Sequence, residues 1–252
     1  MQNTQLLKDF SLGPIVESAQ CVSSFGPTLV VAPHPYIETS GCGGAIALLR
    51  QRRLPVSVLL VTDGPTQQTS ACHYSRVRLR CMRERETLTA LDRLGVLPPS
   101  VKFLDLPERA MPEFGEPAFD RAIDRCAEYF MKIQPSTVLL PWRRHTQTNH
   151  RAAWELVSAT AIKTGLQLRW LEYPTWSWDS SSDDAALKTE NMFSWRLDIK
   201  TVNTLKQSAI AAYRLFANTV FDDKLRGSSP DKPIQNYCLQ PWELYLESVN
   251  TV

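Results

Sequence analysis

The stretch Thr28 to Gly44, TLVVAPHPYIETSGCGG, constrains this chain more than any other. Leu29-Val30-Val31-Ala32 has the composition of a buried strand and runs straight into Pro33-His34-Pro35. Glycines then punctuate the entry to a helix expected over Ala45 to Arg50. A strand-to-helix junction belongs to an α/β sheet. At the carboxyl end of a central strand it is also where such sheets gather ligand-binding loops, because those loops converge without disturbing the core.

The neighbouring sequence extends the same pattern. Leu54 to Val61 reads as a second strand ending at Thr62-Asp63-Gly64, which completes a βαβ unit. Pro65 to Ser75 has turn character, and Val77 to Leu94 spaces its apolar residues as an amphipathic helix that Gly95 ends. Further strands are expected at Val101 to Leu104, Thr137 to Leu140, Gln167 to Glu172 and Phe193 to Ile199. Helices are expected at Phe119 to Ile133, Ala152 to Ala161 and Val202 to Phe216, with a short docking helix over Gln240 to Leu246. The fold class that follows is a three-layer, Rossmann-like α/β domain with a mainly parallel sheet. Residues 1–25 form an amino-terminal extension and residues 26–252 the single domain. His34 and His150 each lie beyond an expected strand, so a parallel sheet can bring them together.

Composition narrows the function classes. The 28 basic and 26 acidic residues leave a net charge of only +2, so there is no electrostatic footprint for nucleic acid. The six cysteines are scattered and form no metal-ligand pair motif, and Cys42, in the glycine-rich turn, has no partner of a cysteine nucleophile beside it. Without a secretory peptide or an apolar run of membrane-spanning length, a cytoplasmic protein is expected.

Taken in order, PHPYIETSGCGG at 33–44, VTDG at 61–64, the arginine-glutamate helix at Arg83 to Glu86, PWRRHTQTNHRAAW at 141–154 and LKQSAIAAYR near the carboxyl end resemble the LmbE-like, or PIG-L-like, zinc-dependent N-deacetylase family. The resemblance implies a metal-dependent hydrolytic site on the carboxyl-end loops. In the family's first motif a histidine and the second aspartate bind the metal, while the first aspartate acts on the attacking water. The matching positions here are His34, Ile37 and Tyr36. In the second motif, a histidine that assists the transition state, an aspartate and a final metal-binding histidine match Gln147, Asn149 and His150.

The substitutions have chemical consequences. Catalytic zinc sites commonly use three protein ligands and an open water position, and isoleucine supplies no ligand. A tyrosine, with a reference pKa of about 10, is a poor base where a carboxylate near 4 is expected. A glutamine donates a hydrogen bond without transferring a proton near neutral pH.

His34 and His150 therefore remain as candidate metal ligands, and Glu38, Asp63, His145 and the Asp105 loop as candidate replacements for the missing groups. Tyr36, Glu38, Trp142, Arg143, Arg144 and Trp176 are the candidate ligand-binding set. The reading that results is a catalytically impaired LmbE-like protein with no cofactor or a weakly held one, which keeps a cleft for a small molecule or a protein partner. Two alternatives stand beside it. One is a compensated N-deacetylase that acts on an N-acetyl sugar or related amide, with zinc completed by a replacement ligand. The other is a noncatalytic assembly or regulatory protein, for which oligomerisation stays open.

Overall fold

A computed structural model describes residues 14–16, 18–64, 75–108, 110–145, 147–174, 192–214 and 237–248. The strands are β1 (Ile15–Val16), β2 (Thr28–Ala32), β3 (Val56–Thr62), β4 (Val101–Leu106), β5 (Thr137–Pro141), β6 (Arg169–Tyr173), β7 (Met192–Asp198) and β8 (Trp242–Ser248). The helices are α1 (Ser18–Ser23), α2 (Ile37–Gln51), α3 (Arg76–Arg93), α4 (Pro117–Ile133), α5 (Thr148–Thr164) and α6 (Asn203–Ile210). Within the described residues the strands form one sheet in the order β1-β7-β8-β6-β5-β2-β3-β4, in which only the pairings made by β8 are antiparallel.

Side-chain alternation along β2 generates the layers. Val30 and Ala32 enter a core that also holds Ile46 and Leu49 of α2, Leu91 of α3 and Ala209 of α6. Leu29 and Val31 point the other way, into a core with Phe119 and Phe130 of α4 and Leu156 and Val157 of α5. Each such fully buried side chain contributes roughly 1.5–3 kcal/mol, so both faces of the sheet are held shut. The chain leaves β2 toward β3 and β4 on one side, while β5 and β6 lie on the other. The carboxyl ends of β2 and β5 therefore flank the crevice where strand order reverses.

The glycines of the first motif lie inside α2 rather than ahead of it. The helix opens at Ile37, and its glycines are where neighbouring side chains touch its backbone. A Cβ on Gly41 would stand 2.7 Å from the Tyr173 ring, one on Gly44 2.5 Å from Ile199, and one on Gly43 3.0 Å from Lys206.

The carboxyl-terminal segment is also a correction, since residues expected to form a docking helix form β8. Their period is two. Trp242, Leu244 and Leu246 pack with Trp142, whereas Tyr245 points into the core beneath α2. Helix α5 opens at Thr148, earlier than expected, so His150 sits in its first turn instead of in a loop. Of the long helix expected over Val202 to Phe216, the described part begins with a short 3₁₀ turn followed by α6, which ends at Ile210, while Leu215 and Phe216 lie outside the described residues. No described helix is long and apolar enough to cross a membrane.

Candidate functional site

Strand β2 delivers His34 to the crevice, and the Pro33 carbonyl, bonded to the Thr62 N–H at 2.9 Å, ties that turn to β3. His34 Nδ1 lies 3.1 Å from the Pro35 carbonyl oxygen, which in the neutral ring fixes the proton on Nδ1 and leaves Nε2 bare. Beyond β5, His145 is pinned from three directions. Its N–H donates to Trp142 O at 3.1 Å, its carbonyl accepts from Arg151 Nη1 at 2.7 Å, and its Nδ1 accepts the Gln147 N–H at 3.1 Å.

The first turn of α5 then brings in His150. The three imidazoles meet: His34 and His150 cross edge to face at 5.5 Å between centroids, and His145 stacks on His150 at 4.0 Å with planes tilted by 15°. All three are buried, and among the described residues neither ring nitrogen of His150 has a hydrogen-bond partner.

The electrostatics favour neutral rings. Burial is the main cause that lowers His34 to about 4, with Arg83 adding to the effect and the Pro35 bond opposing it. Burial, His34 and Arg151 bring His145 to about 4, and burial with the two neighbouring imidazoles holds His150 well below the usual range. The causes of these shifts are burial, the neighbouring imidazoles and the arginines Arg83 and Arg151, opposed at His34 by the Pro35 bond.

The other candidates are placed as follows. Ile37 is fully buried in the core under α2. Tyr36 adopts φ 91°, a conformation that costs a residue of its size about 1–3 kcal/mol, and its hydroxyl lies 3.8 Å from Cys238 Sγ. Glu38 is fully buried and accepts from Thr39 Oγ1 at 2.8 Å and from the Tyr213 hydroxyl, which engages it in the packing of α2. Asp63 is nearly sealed at the end of β3, where its carbonyl accepts from Arg83 Nη1 at 3.3 Å. Asp105 lies 3.7 Å from Arg80 Nη1. Burial raises the Cys42 thiol well above its usual range, which disfavours a thiolate.

Trp142 is sealed against Leu244 and Leu246 of β8. Arg143 Nε donates to the buried Glu172 Oε1 at 2.6 Å, and its guanidinium lies 4.9 Å from the Trp154 ring centre. Arg144 is exposed on the same loop, while Trp176 lies outside the described residues.

Gln147 and Asn149 face a different space. With Glu108, Met111, Glu113, Phe114 and Glu155 they line an open cleft of about 1090 Å³, and Asn149 Nδ2 donates to Glu108 Oε1 at 3.2 Å. The β4–α4 side of this cleft was not legible in the sequence; an aromatic Phe114 in a Pro- and Gly-containing loop was its only signal.

A zinc ion takes imidazole nitrogen at about 2.0–2.1 Å along a lone pair that lies in the ring plane. The planes of His34 and His150 cross at 67° with centroids 5.5 Å apart, so these two rings form the candidate ligand pair. The nearly parallel planes of His145 and His150 meet far outside bonding reach, so these two rings cannot share an ion. Among the described residues no group of three or more His, Cys, Asp or Glu is arranged to hold a metal ion. As placed, the residues do not fit a catalytic zinc site.

The fold, with its β2/β5 crevice and paired histidine motifs, defines an LmbE-like α/β protein. The sequence model of the family described as PIG-L: GlcNAc-PI de-N-acetylase matches residues 29–161, more than half of the chain. The chain belongs to this family. Among curated protein sequences none matches it.

Solved structures share its fold. The chain is similar to GalB, the 4-carboxy-2-hydroxymuconate hydratase from Pseudomonas putida, at 18% identity and a TM-score of 0.60, covering 89% of this chain and 96% of that one. It is similar to the conserved protein TT1542 from Thermus thermophilus at 20% identity and 0.60, covering 89% and 95%. It is also similar to the N,N'-diacetylchitobiose deacetylase from Pyrococcus horikoshii at 19% and 0.55, covering 76% and 71%. A hydratase and a deacetylase on one fold mean that the reaction must be argued from the site.

Proposed function

We propose that this chain is a PIG-L family protein whose amide hydrolysis is lost or greatly weakened, and that it binds a small ligand in the cleft beside Gln147 and Asn149. The observation that carries the reading is the placement of Ile37, fully buried in the core under α2 at the position that matches the family's metal-binding carboxylate. Amide hydrolysis needs an activated water and a proton for the leaving amine. Burial raises the Tyr36 phenol, which makes it a poorer base still, and Gln147 has no proton to exchange near neutral pH.

The cleft supports binding better than it supports chemistry. Glu108, Gln147, Thr148 and Asn149 offer hydrogen bonds, while Phe114, 81% exposed at its edge, offers an apolar face. That pairing suits a hydroxylated, sugar-like molecule, the substrate class named in the family's description. Arg144 is the proposed contact for an anionic substituent of such a ligand. Arg143 already serves Glu172.

The test is saturation-transfer NMR with N-acetylglucosamine and its phosphorylated derivatives. Binding weakened by Phe114→Ser and Asn149→Ala is expected. Binding unchanged in both variants, or absent throughout, contradicts the cleft.

A second reading, compensated zinc hydrolysis, is favoured by one observation only: His145 joins His34 and His150. In that reading the His145 ring turns out of its stack on His150 to become the third ligand, and Asp63 is the base. Zinc affinity that falls in His145→Ala would support it.

A further inference from the structure

The described lining of the cleft beside α5 holds more negative than positive charge. Three carboxylates, Glu108, Glu113 and Glu155, stand there against one guanidinium, that of Arg151, whose Nη1 already donates to the His145 carbonyl at 2.7 Å. Asn149 adds an acceptor. Its side chain is only 8% exposed, lines the same space and donates Nδ2 to Glu108 Oε1 at 3.2 Å. Because an ionised carboxylate only accepts, that bond fixes the orientation of the amide and leaves Oδ1 without a hydrogen-bond partner among the described residues. An amide oxygen held in so buried a side chain calls for a donor.

The rim supplies the third feature. Phe114, 81% exposed, is propped by the buried Phe119, with ring centroids 5.9 Å apart and planes at 68°. An aromatic face held open beside carboxylates attracts a cation. A metal ion does not suit the cleft, since among the described residues no group of three or more His, Cys, Asp or Glu is arranged to hold one. A protonated amine does: an ammonium has three donors and no acceptor.

We infer that the ligand of this cleft carries a primary ammonium, as an amino sugar does, placed against Glu108 and Asn149 Oδ1 with its carbon skeleton on the Phe114 ring. The inference rests on the reading of this space as a cleft for a sugar-like molecule, and narrows that molecule to one with a free amine. An anionic substituent on such a ligand belongs outside the lining, at Arg144.

Glucosamine and N-acetylglucosamine differ in whether the same nitrogen is charged, so the pair isolates the ammonium. Saturation-transfer NMR titration of the full chain at about pH 6, below the ordinary range of a free amine, gives both affinities. Glucosamine is expected to bind about fivefold or more tightly than N-acetylglucosamine, by a margin that shrinks as salt rises. Glu108→Gln keeps an acceptor for Asn149 while removing the charge, and is expected to bring the two affinities within about twofold. Circular dichroism confirms that the variant is folded.

Equal affinities in the wild type, or a preference for the acetylated sugar, overturn the ammonium and leave the cleft standing. A preference for glucosamine that survives intact in Glu108→Gln overturns its placement at that carboxylate. Binding of neither sugar overturns the cleft itself, and the ammonium with it.

Discussion

Lys206 Nζ lies 2.8 Å from Glu243 Oε1, and both side chains are fully excluded from solvent. The same carboxylate accepts the backbone N–H groups of Gly44 and Ala45, at 2.6 and 2.9 Å, and the Tyr245 hydroxyl at 2.9 Å. A buried ion pair satisfied on this many sides holds α2, and with it the His34 turn, against β8. Removing one partner leaves an uncompensated buried charge, so Glu243→Ala is expected to lower stability by about 3–5 kcal/mol in urea denaturation. Replacing both, as Lys206→Met with Glu243→Leu, recovers part of that loss. A loss below about 1 kcal/mol in Glu243→Ala contradicts the clamp.

The close approach at Gly44 makes a separate prediction. A Cβ there would meet Ile199 Cγ2 at 2.5 Å, so Gly44→Ala overpacks the interface and is expected to cost about 1–3 kcal/mol. Ile199→Ala in the same chain makes room. The two substitutions are therefore non-additive, and the double variant is more stable than the sum of the single losses. Additive losses measured by the same denaturation cycle contradict the contact.

Glu38 gives a pH dependence of known sign. Burial raises its carboxyl above the ordinary 4.5, with the Tyr213 and Thr39 bonds opposing the shift. The folded state then binds the proton more tightly than the unfolded one. Its contribution is fully present below about 4.5 and is lost as pH rises through the raised folded value. Glu38→Gln keeps the shape and removes the proton site, so its stability relative to wild type increases from pH 4 toward neutrality. A difference that is constant with pH contradicts burial as the dominant influence.

Arg143 is expected to act on the fold before any ligand. Its backbone N–H and its Nε bond Glu172, at 2.8 and 2.6 Å, and burial works to raise the carboxyl while Arg143 opposes it. Arg143→Ala strands Glu172 and should cost about 3–5 kcal/mol, whereas Arg144→Ala, at an exposed position, stays within about 0.5 kcal/mol. Equal thermal shifts for the two variants contradict this division.

Much of this architecture was legible in local pattern. The apolar runs at Val30 and Leu139 announced parallel strands, and the proline-histidine-proline turn marked the crevice between them. The errors came from contacts made across the chain. Gly41 and Gly44 read as a turn because sequence does not reveal that Tyr173 and Ile199 press on the helix at those points. WELYL read as a helix, although the segment pairs with β7 and β6 and is buried on both faces of the sheet.

The site divides in the same way. The resemblance to the family motif pointed to Tyr36 and Ile37 as the positions to inspect, but the stacking of His145 on His150 depends on the hydrogen bonds that orient a loop. Glu172, the partner of Arg143, comes from β6, which no local signal connects to that loop.

The central claim is that the Tyr36 and Ile37 substitutions have removed hydrolysis from a retained PIG-L fold. Acetate release from N-acetylglucosamine derivatives, measured with purified protein and saturating zinc, tests it most directly. The account predicts release at the level of the buffer control, identical in wild type, His34→Ala and His150→Ala. Robust turnover by the wild type that disappears in both histidine variants would contradict it.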